Sequence, residues 1–376
     1  MIPSRKTGYS SCVNVDPYFA ALLAGFAVAL PASALLNQAA PRLPARLPWG
    51  GLAGDPQRAP PLGGLALLIG FAAAPFIAAQ LSDRAAEYFD PKKEEFLGFL
   101  GAVTLVFATG LLDDWRAMRP WQKLTGQLIA GVAVFAAGYQ LDTLGLPWGG
   151  TLHLGLLALP ATLLWVAFFT NAVNLIDGKD GLATGVAVFA AAALAAVAAH
   201  THHPAVALLF VGLAGAGLGF LPFNLPPASL YLGDGGALVF GFLLATLSIR
   251  GATGEANEVF IGVPLLALGF PVLDTLLSVA RRLLDRRSPF VGDQDHIHHR
   301  LEALNLGPHV SLAFLYALSG AFGAAALGAH YVESLAAEVA IVLGVFAVIA
   351  LVLARLGYLV TLWNSDRMTS WRRRLS

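Results

Sequence analysis

Eleven apolar stretches, most of them about 20 residues long, constrain the fold of this sequence more than any other feature. A helix of that length spans the hydrocarbon core of a bilayer and satisfies its own backbone hydrogen bonds there. Only 12% of the residues are charged, about half the share found in soluble domains. The sequence therefore predicts an all-α, polytopic integral membrane protein and excludes a water-soluble globular domain.

The predicted spans follow one another closely, so we expect a single membrane-embedded domain over residues 1–376. The spans lie at about 17–36, 62–81, 96–112, 122–139, 154–173, 181–199, 205–221, 236–250, 258–284, 310–330 and 335–361. The boundary near 171–181 is ambiguous, and ten spans are the alternative count. Arg5 and Lys6 precede the first apolar run, and Ala-Ser-Ala at 32–34 resembles a cleavage site, so a signal peptide is the alternative for the first span.

The basic residues of the loops set the predicted orientation. Lys and Arg are concentrated in one alternating set of loops and in the C-terminal tail, and such loops stay in the cytoplasm. We therefore expect the N-terminus outside and the C-terminus in the cytoplasm. Lys plus Arg (23) equals Asp plus Glu (23), so no charge excess favours nucleic acid as a partner. The single Cys12 excludes an intrachain disulfide and a Cys-based zinc site.

Four polar groups interrupt the apolar sequence, and the predicted topology brings all of them to the cytoplasmic face. They are Asp113-Asp114; Asn171, Asn174, Asp177 and Asp180; Asp234 within Gly-Asp-Gly-Gly; and His296, His298, His299 and Arg300. Carboxylate and amide oxygens suit Mg²⁺, and a glycine-rich helix N-terminus suits a phosphate. We expect an active site formed by the cytoplasmic loops at 37–61, 113–121, 172–180, 222–235 and 285–309.

Each polar group also has a purely structural explanation. The paired aspartates could lie in an ordinary aqueous loop, Asp and Asn residues could cap helices, and arginines could simply flank the membrane. Asp274 differs because it lies inside the ninth span, where an ionisable group is costly and is usually functional or paired. Pro271 predicts a bend in that span, with tilt of a straight helix as the alternative.

Five motifs, taken in order, resemble the polyprenyl-phosphate N-acetylhexosamine-1-phosphate transferases. They are Pro-Leu-Gly-Gly (61–64), Gly-Leu-Leu-Asp-Asp-Trp (110–115) with Lys123 and Gln127 after it, Asn-Ala-Val-Asn-Leu-Ile-Asp-Gly-Lys-Asp-Gly-Leu-Ala (171–183), Leu-Gly-Asp-Gly-Gly (232–236), and residues 286–301 with Asp-His-Ile-His-His-Arg-Leu. The resemblance covers about residues 55–330. The His-Ile-His-His-Arg form is similar to the branch that uses UDP-N-acetylglucosamine.

The resemblance implies a multi-pass enzyme of the bacterial plasma membrane. Such an enzyme transfers N-acetylhexosamine 1-phosphate, here N-acetylglucosamine 1-phosphate, from a UDP-sugar to undecaprenyl or another polyprenyl phosphate and releases UMP. The resemblance implies Mg²⁺ or Mn²⁺ as cofactor. It also implies a step in the synthesis of an envelope glycan such as lipopolysaccharide or teichoic acid. A homodimer is possible and is neither implied nor excluded. The alternative donor is UDP-MurNAc-pentapeptide. A transporter and an inactive scaffold are alternatives of other classes, although transport sites lie near mid-membrane.

The resemblance also implies roles for individual side chains. Those implied to bind substrate are Lys123, Asp177, Asp180, Tyr231, His296, His298, His299 and Arg300. Those implied to bind the metal are Asn174 and Asp234, and the implied catalytic residues are Asp113, Asp114 and Asp234. Tyr231 would stack on uracil. Whether Asp113 or Asp114 activates the acceptor phosphate stays open, as does a route through an aspartyl phosphate.

Overall fold

The computed structural model describes residues 15–40, 60–89, 94–146, 150–253, 259, 261–284, 297, 301 and 307–332, together with ten positions within 340–354. The helices are α1 (Pro17–Ala39), α2 (Gly63–Leu81), α3 (Asp83–Tyr88), α4 (Glu94–Trp115), α5 (Pro120–Ala136), α6 (Ala158–Ile176), α7 (Leu182–His200), α8 (Pro204–Asn224), α9 (Gly233–Gly251), α10 (Gly262–Ala267), α11 (Gly269–Leu284) and α12 (Pro308–Tyr331). A short 3₁₀ turn, Gly155–Leu157, precedes α6.

Eight of the described helices are long and apolar enough to cross a membrane, which confirms the predicted polytopic helical architecture. They are α1, α2, α4, α6 with its preceding turn, α7, α8, α9 and α12. The helix α5 occupies the predicted span 122–139 but has only 17 residues. Most of the predicted span 335–361 lies outside the described residues. The total of eleven spans and the orientation of the termini stay predictions.

A small β-hairpin between α5 and α6 is an addition to the predicted helical architecture that the sequence analysis missed. Strands β1 (Thr143–Gly145) and β2 (Thr151–His153) pair antiparallel, with Leu144 opposite Leu152. The Thr143 hydroxyl lies 2.9 Å from Nδ1 of His153 across the pair, and the backbone of Val259 bonds to the other side of β1. Strands of three residues are too short to produce a readable alternation of polar and apolar residues, so the sequence pattern could not reveal them.

The ambiguous boundary at 171–181 separates two helices. The helix α6 ends at Ile176, and α7 begins at Leu182. Between them residues 177–181 form a connection, named here the α6–α7 turn. Gly181 in this turn has φ = +76°, a left-handed conformation that glycine adopts without the steric cost of a Cβ. This boundary therefore favours the larger of the two predicted span counts.

The predicted ninth span is interrupted at Leu268, three residues before the Pro271 at which the sequence predicts a bend. Leu268 separates α10 from α11, and Pro271 lies in the first turn of α11. A helix leaves its first N–H groups without intrahelical partners, so the missing N–H of Pro271 costs no hydrogen bond at that position. The proline is thus placed at the start of the second segment.

Close backbone contacts place the N-terminus of α9 between α2 and α4. A Cβ on Gly110 of α4 would lie 2.5 Å from the carbonyl oxygen of Asp234, and a Cβ on Gly64 of α2 would overlap the backbone of Gly236. Small residues allow such approach between membrane helices. The end of α9 that carries Asp234 is therefore enclosed by the ends of α2 and α4.

Candidate active site

Lys123 links two of the predicted catalytic aspartates. Its ammonium group donates to Oδ2 of Asp113 at 2.7 Å and to Oδ1 of Asp234 at 3.1 Å. The three side chains come from α5, α4 and α9 and are only 10–29% exposed. Because water screens such a cluster poorly, one ammonium group between two carboxylates holds both in fixed positions and leaves a net negative charge.

Asp114 caps the N-terminus of α9 from the neighbouring helix α4. Its two carboxylate oxygens accept the backbone N–H groups of Asp234 at 2.8 Å and of Gly235 at 3.0 Å. A carboxylate at this end satisfies two unpaired donors and interacts favourably with the helix dipole. The adjacent aspartates therefore have different contacts: Asp113 holds Lys123, and Asp114 holds the helix that carries Asp234.

The Pro-Leu-Gly-Gly motif at 61–64 supports the segment that carries Tyr231. The Tyr231 amide donates to the carbonyl of Pro60 at 3.0 Å, and its carbonyl accepts from the amide of Gly63 at 2.9 Å. The amide of Gly64 donates to the carbonyl of Leu232, also at 2.9 Å. The first amides of α2, which have no partner within their own helix, are thus bonded to the residues just before α9.

The α6–α7 turn is anchored to the segment that follows α8. Oδ2 of Asp180 accepts the amide of Ala228 at 2.9 Å. The side chain of Asn224, at the end of α8, accepts the amide of Gly181 at 3.2 Å and donates to the carbonyl of Leu230. The sequence analysis missed Asn224 as a site residue. The signal that could have revealed it is a single amide side chain that ends a long apolar segment, directly before Leu-Pro-Pro.

These elements enclose a cavity of about 340 Å³. Its lining includes six of the predicted site residues, brought together from α4, α6, the α6–α7 turn, the segment just before α9 and the start of α9. The lining residues are Pro61, Asp114, Asn174, Asp177, Gly178, Lys179, Asp180, Asn224, Tyr231, Leu232, Gly233 and Asp234. Lys179 is the only cationic side chain among these described lining residues, against four carboxylates.

Negative charge accumulates in this cavity. Burial raises the pKa of Asp177 well above its usual value, and the nearby charges of Asp234 and Asp114 raise it further. A carboxylate in this position is less easily ionised than one in water. A cation that enters the cavity would relieve this repulsion, so the lining favours a cation or the positive part of a ligand.

The oxygens of Asn174 and Asp234 have the chemistry that a Mg²⁺ ion requires. In the part of the chain that the structure describes, no three His, Cys, Asp or Glu side chains form a ready-made metal site. Mg²⁺ is commonly bound through one or two protein oxygens, with water and substrate phosphates completing its octahedron. The donor set therefore fits Mg²⁺ bound together with a phosphate ligand better than a preformed protein cage.

The predicted histidine group falls outside the described residues. His296, His298, His299 and Arg300 are not described, whereas Ile297 and Leu301 are, and both are buried. The amide of Ile297 donates to Oδ1 of Asp274 at 2.9 Å. Asp274 is fully buried, so the acidic residue inside the ninth span is hydrogen-bonded to the segment that carries the histidines.

Comparisons with known proteins identify a family and several relatives of this sequence. The model of glycosyl transferase family 4 matches residues 96–252. A probable undecaprenyl-phosphate N-acetylglucosaminyl 1-phosphate transferase of Bacillus subtilis (strain 168) is 30% identical over 269 residues, which are 71% of this chain and 72% of the relative. A decaprenyl-phosphate N-acetylglucosaminephosphotransferase of Mycolicibacterium smegmatis is 32% identical over 318 residues, 79% of this chain and 77% of the relative.

A relative named for a different sugar also matches. The phospho-N-acetylmuramoyl-pentapeptide-transferase of Heliobacterium modesticaldum is 32% identical over 261 residues, which are 65% of this chain and 74% of the relative. The family-model match contains the aspartates of α4, Lys123, Asn174, the α6–α7 turn and Asp234. The residues that line the cavity therefore lie almost entirely in the region of the match.

Proposed function

The chain belongs to glycosyl transferase family 4, among the polyprenyl-phosphate N-acetylhexosamine-1-phosphate transferases, and from this premise we propose that it transfers N-acetylhexosamine 1-phosphate from a UDP-sugar to a polyprenyl phosphate. The observation that carries the proposal is the cavity in which Asp114, Asn174, Asp177 and Asp234 converge beside the N-terminus of α9. A donor diphosphate can there meet Lys179 and a cation held by oxygen ligands.

We propose N-acetylglucosamine as the donor sugar. The two relatives whose names include N-acetylglucosamine match 71% and 79% of this chain, whereas the relative named for the muramoyl pentapeptide matches 65%. The His-Ile-His-His-Arg sequence at 296–300 favours the same branch. The acceptor is a polyprenyl phosphate, whose chain stays in the lipid while its phosphate reaches the end of the helix bundle.

The proposed reaction is a direct displacement at phosphorus. A phosphate oxygen of the lipid forms a bond to the sugar-bound phosphorus of the donor, and the bond from that phosphorus to the bridging oxygen breaks. The bridging oxygen leaves with UMP, and the product is a polyprenyl diphospho-sugar. Since both reactants are anionic, positive charge and correct positioning are the main requirements.

The side chains of this protein meet those requirements in separate ways. Lys123 holds the carboxylate of Asp234 in place, and Asp114 holds the helix terminus behind it. Asn174 and Asp234 would bind Mg²⁺, with Mn²⁺ as the alternative ion. When bound, the cation supplies positive charge to the diphosphate of the donor. Asp113 or Asp114 positions the acceptor phosphate, and His296, His298, His299 and Arg300 contribute to phosphate binding.

The test of this function is UMP release by the purified protein. The assay contains detergent, Mg²⁺, undecaprenyl phosphate and one UDP-sugar from a panel. We expect release with UDP-N-acetylglucosamine and none with UDP-MurNAc-pentapeptide. Release with the pentapeptide donor alone would overturn the proposed sugar but keep the reaction. Absence of UMP with every donor, from folded protein, would favour a transporter or an inactive scaffold instead.

Tyr231 gives a prediction about donor binding, because this residue lines the cavity. We propose that its ring stacks on uracil, and stacking of a base on an aromatic ring contributes about 1–3 kcal/mol. Tyr231→Ala should therefore raise the donor KM about tenfold or more and leave the acceptor KM within about twofold. The control is Tyr231→Phe, which keeps the ring and should stay close to wild type. Equal effects on both KM values would contradict stacking.

We propose that the protein lies in a bacterial plasma membrane with its site on the cytoplasmic side, and this location gives a second prediction. Ser229 is exposed next to the cavity, and Thr151 is exposed in the hairpin between α5 and α6. In a Cys12→Ser background, Thr151→Cys should react with a membrane-impermeant maleimide on intact cells. Ser229→Cys should react only after permeabilisation. Labelling of both positions from the same side would show that the predicted orientation is wrong.

A further inference from the structure

The α6–α7 turn contributes Asp177, Gly178, Lys179 and Asp180 to the cavity wall. The conformation of this turn therefore determines the positions of these four residues in the cavity. Its last residue, Gly181, is held on both sides. The amide of Gly181 donates to Oδ1 of Asn224, and its carbonyl accepts both the amide of Gly185 at 3.0 Å and the hydroxyl of Tyr316 at 2.6 Å. Tyr316 belongs to α12 and is 135 residues away in sequence.

The neighbouring helix α7 has a recess that fits the ring of Tyr316. A Cβ on Gly185 would overlap this ring, and a Cβ on Gly181 would lie 3.2 Å from its hydroxyl oxygen. The two glycines are one helical turn apart and therefore face the same side. The ring also packs against Phe189, with 5.9 Å between the ring centroids. The position of the hydroxyl is thus set by the packing of α12 on α7.

We propose that Tyr316 is a positioning residue for donor binding, which acts by fixing the α6–α7 turn. The proposal rests on the proposed function, because the turn forms part of a donor site only if the cavity takes the donor. Without the hydroxyl, the carbonyl of Gly181 keeps the amide of Gly185 but loses the partner that ties the turn to α12. Asp177 and Asp180 then occupy a wider range of positions, and groups that must be preorganised bind the donor less well.

The test compares Tyr316→Phe, which keeps the ring and removes only the hydroxyl, with Ser319→Ala. Ser319 is a buried residue of the same helix whose hydroxyl donates to Leu315 within α12, so its loss leaves the turn untouched. From the usual contribution of one hydrogen bond, we expect Tyr316→Phe to raise the donor KM about five- to tenfold. The acceptor KM should change less than about twofold, and Ser319→Ala should change neither.

Gly185→Ala provides a second variant with an intact hydroxyl. Its new methyl group displaces the ring of Tyr316 from the recess, so the donor KM should rise as it does in Tyr316→Phe. In the Tyr316→Phe background, Gly185→Ala should raise the donor KM by a smaller factor than Gly185→Ala does in the wild-type protein. The reason is that the contact between Tyr316 and the turn is already lost in Tyr316→Phe. Equal changes in donor and acceptor KM, or no change in either, would overturn the proposal.

Hydrogen–deuterium exchange of a peptide covering residues 177–184 tests the same contact without catalysis. Tyr316→Phe should exchange about threefold faster or more than wild type in this peptide, and Ser319→Ala should match wild type. If wild type releases no UMP with any donor, the proposed function fails, and the exchange comparison still decides whether Tyr316 holds the turn. Unchanged exchange in Tyr316→Phe would overturn the proposal whether or not UMP is released.

Discussion

Asp234→Ala is expected to lower UMP release by about three orders of magnitude while the protein stays folded in detergent. Asp234 is the carboxylate that the structure places both in the cavity wall and against Lys123. Its loss removes a proposed Mg²⁺ ligand and one of the two groups that orient the lysine. The change should lower kcat at saturating donor and acceptor, and added Mg²⁺ should not restore it.

The fold is expected to survive this substitution because the cap on α9 uses the backbone. Asp114 bonds to the N–H groups of residues 234 and 235, and these groups remain when the side chain of Asp234 is truncated. Glu95→Ala is the matched control, since it removes one carboxylate from the exposed ion pair with Arg250. Such pairs contribute little to stability. Activity above about a tenth of wild type in Asp234→Ala would remove Asp234 from the proposed metal site.

Hydropathy and topology were sufficient to predict most of the architecture. Membrane helices must satisfy their backbone groups internally, so a long apolar run has few alternatives, and all ten predicted spans up to residue 330 coincide with described helices. Successive spans cross the membrane in alternating directions, so loops two spans apart meet at the same end of the bundle. This places Asp114, Asn174, Asp177, Asp180 and Asp234 at one end, where they line one cavity.

The contacts that distinguish the site residues were not predictable from the pattern. The contact between Lys123 and Asp234 joins residues 111 positions apart, and it depends on the rotation of α5 against α9. Hydropathy predicts that a helix crosses the membrane, but it does not predict how that helix is rotated about its own axis relative to its neighbours. Asp113 and Asp114 are adjacent and chemically identical, yet neighbouring residues on a helix point in directions about 100° apart. One of them therefore meets Lys123 and the other meets the start of α9.

Supporting residues outside the motifs were missed for a similar reason. Asn224 and Tyr316 act on the backbone of Gly181, and a hydrogen bond to a backbone group requires no particular partner residue in the sequence. An amide at the end of an apolar helix and a tyrosine within one are both common in membrane proteins. Only the packing of α8 and α12 around the α6–α7 turn reveals that both contribute to the site.

Lys123→Met is expected to lower UMP release by about two to three orders of magnitude and to destabilise the protein as well. Asp113 and Asp234 would then face each other in a mostly buried site without the ammonium group that holds them. Leaving a buried charge without its partner is strongly destabilising. We estimate a cost of about 2–3 kcal/mol, below that of a fully buried pair, because 18% of the Lys123 side chain and 29% of the Asp234 side chain are exposed.

A second substitution separates the two effects of Lys123. In Lys123→Met/Asp113→Asn one of the two facing carboxylates is neutral, so thermal stability should recover most of the loss seen in Lys123→Met. Activity should stay low, because the cation that orients Asp234 is still absent and Asp113, a candidate for positioning the acceptor phosphate, is neutral. Thermal unfolding in detergent measures the first effect, and the UMP assay measures the second. Recovery of activity in the double variant would mean that Lys123 serves only to neutralise Asp113, and a stable, fully active Lys123→Met would contradict its place in the site altogether.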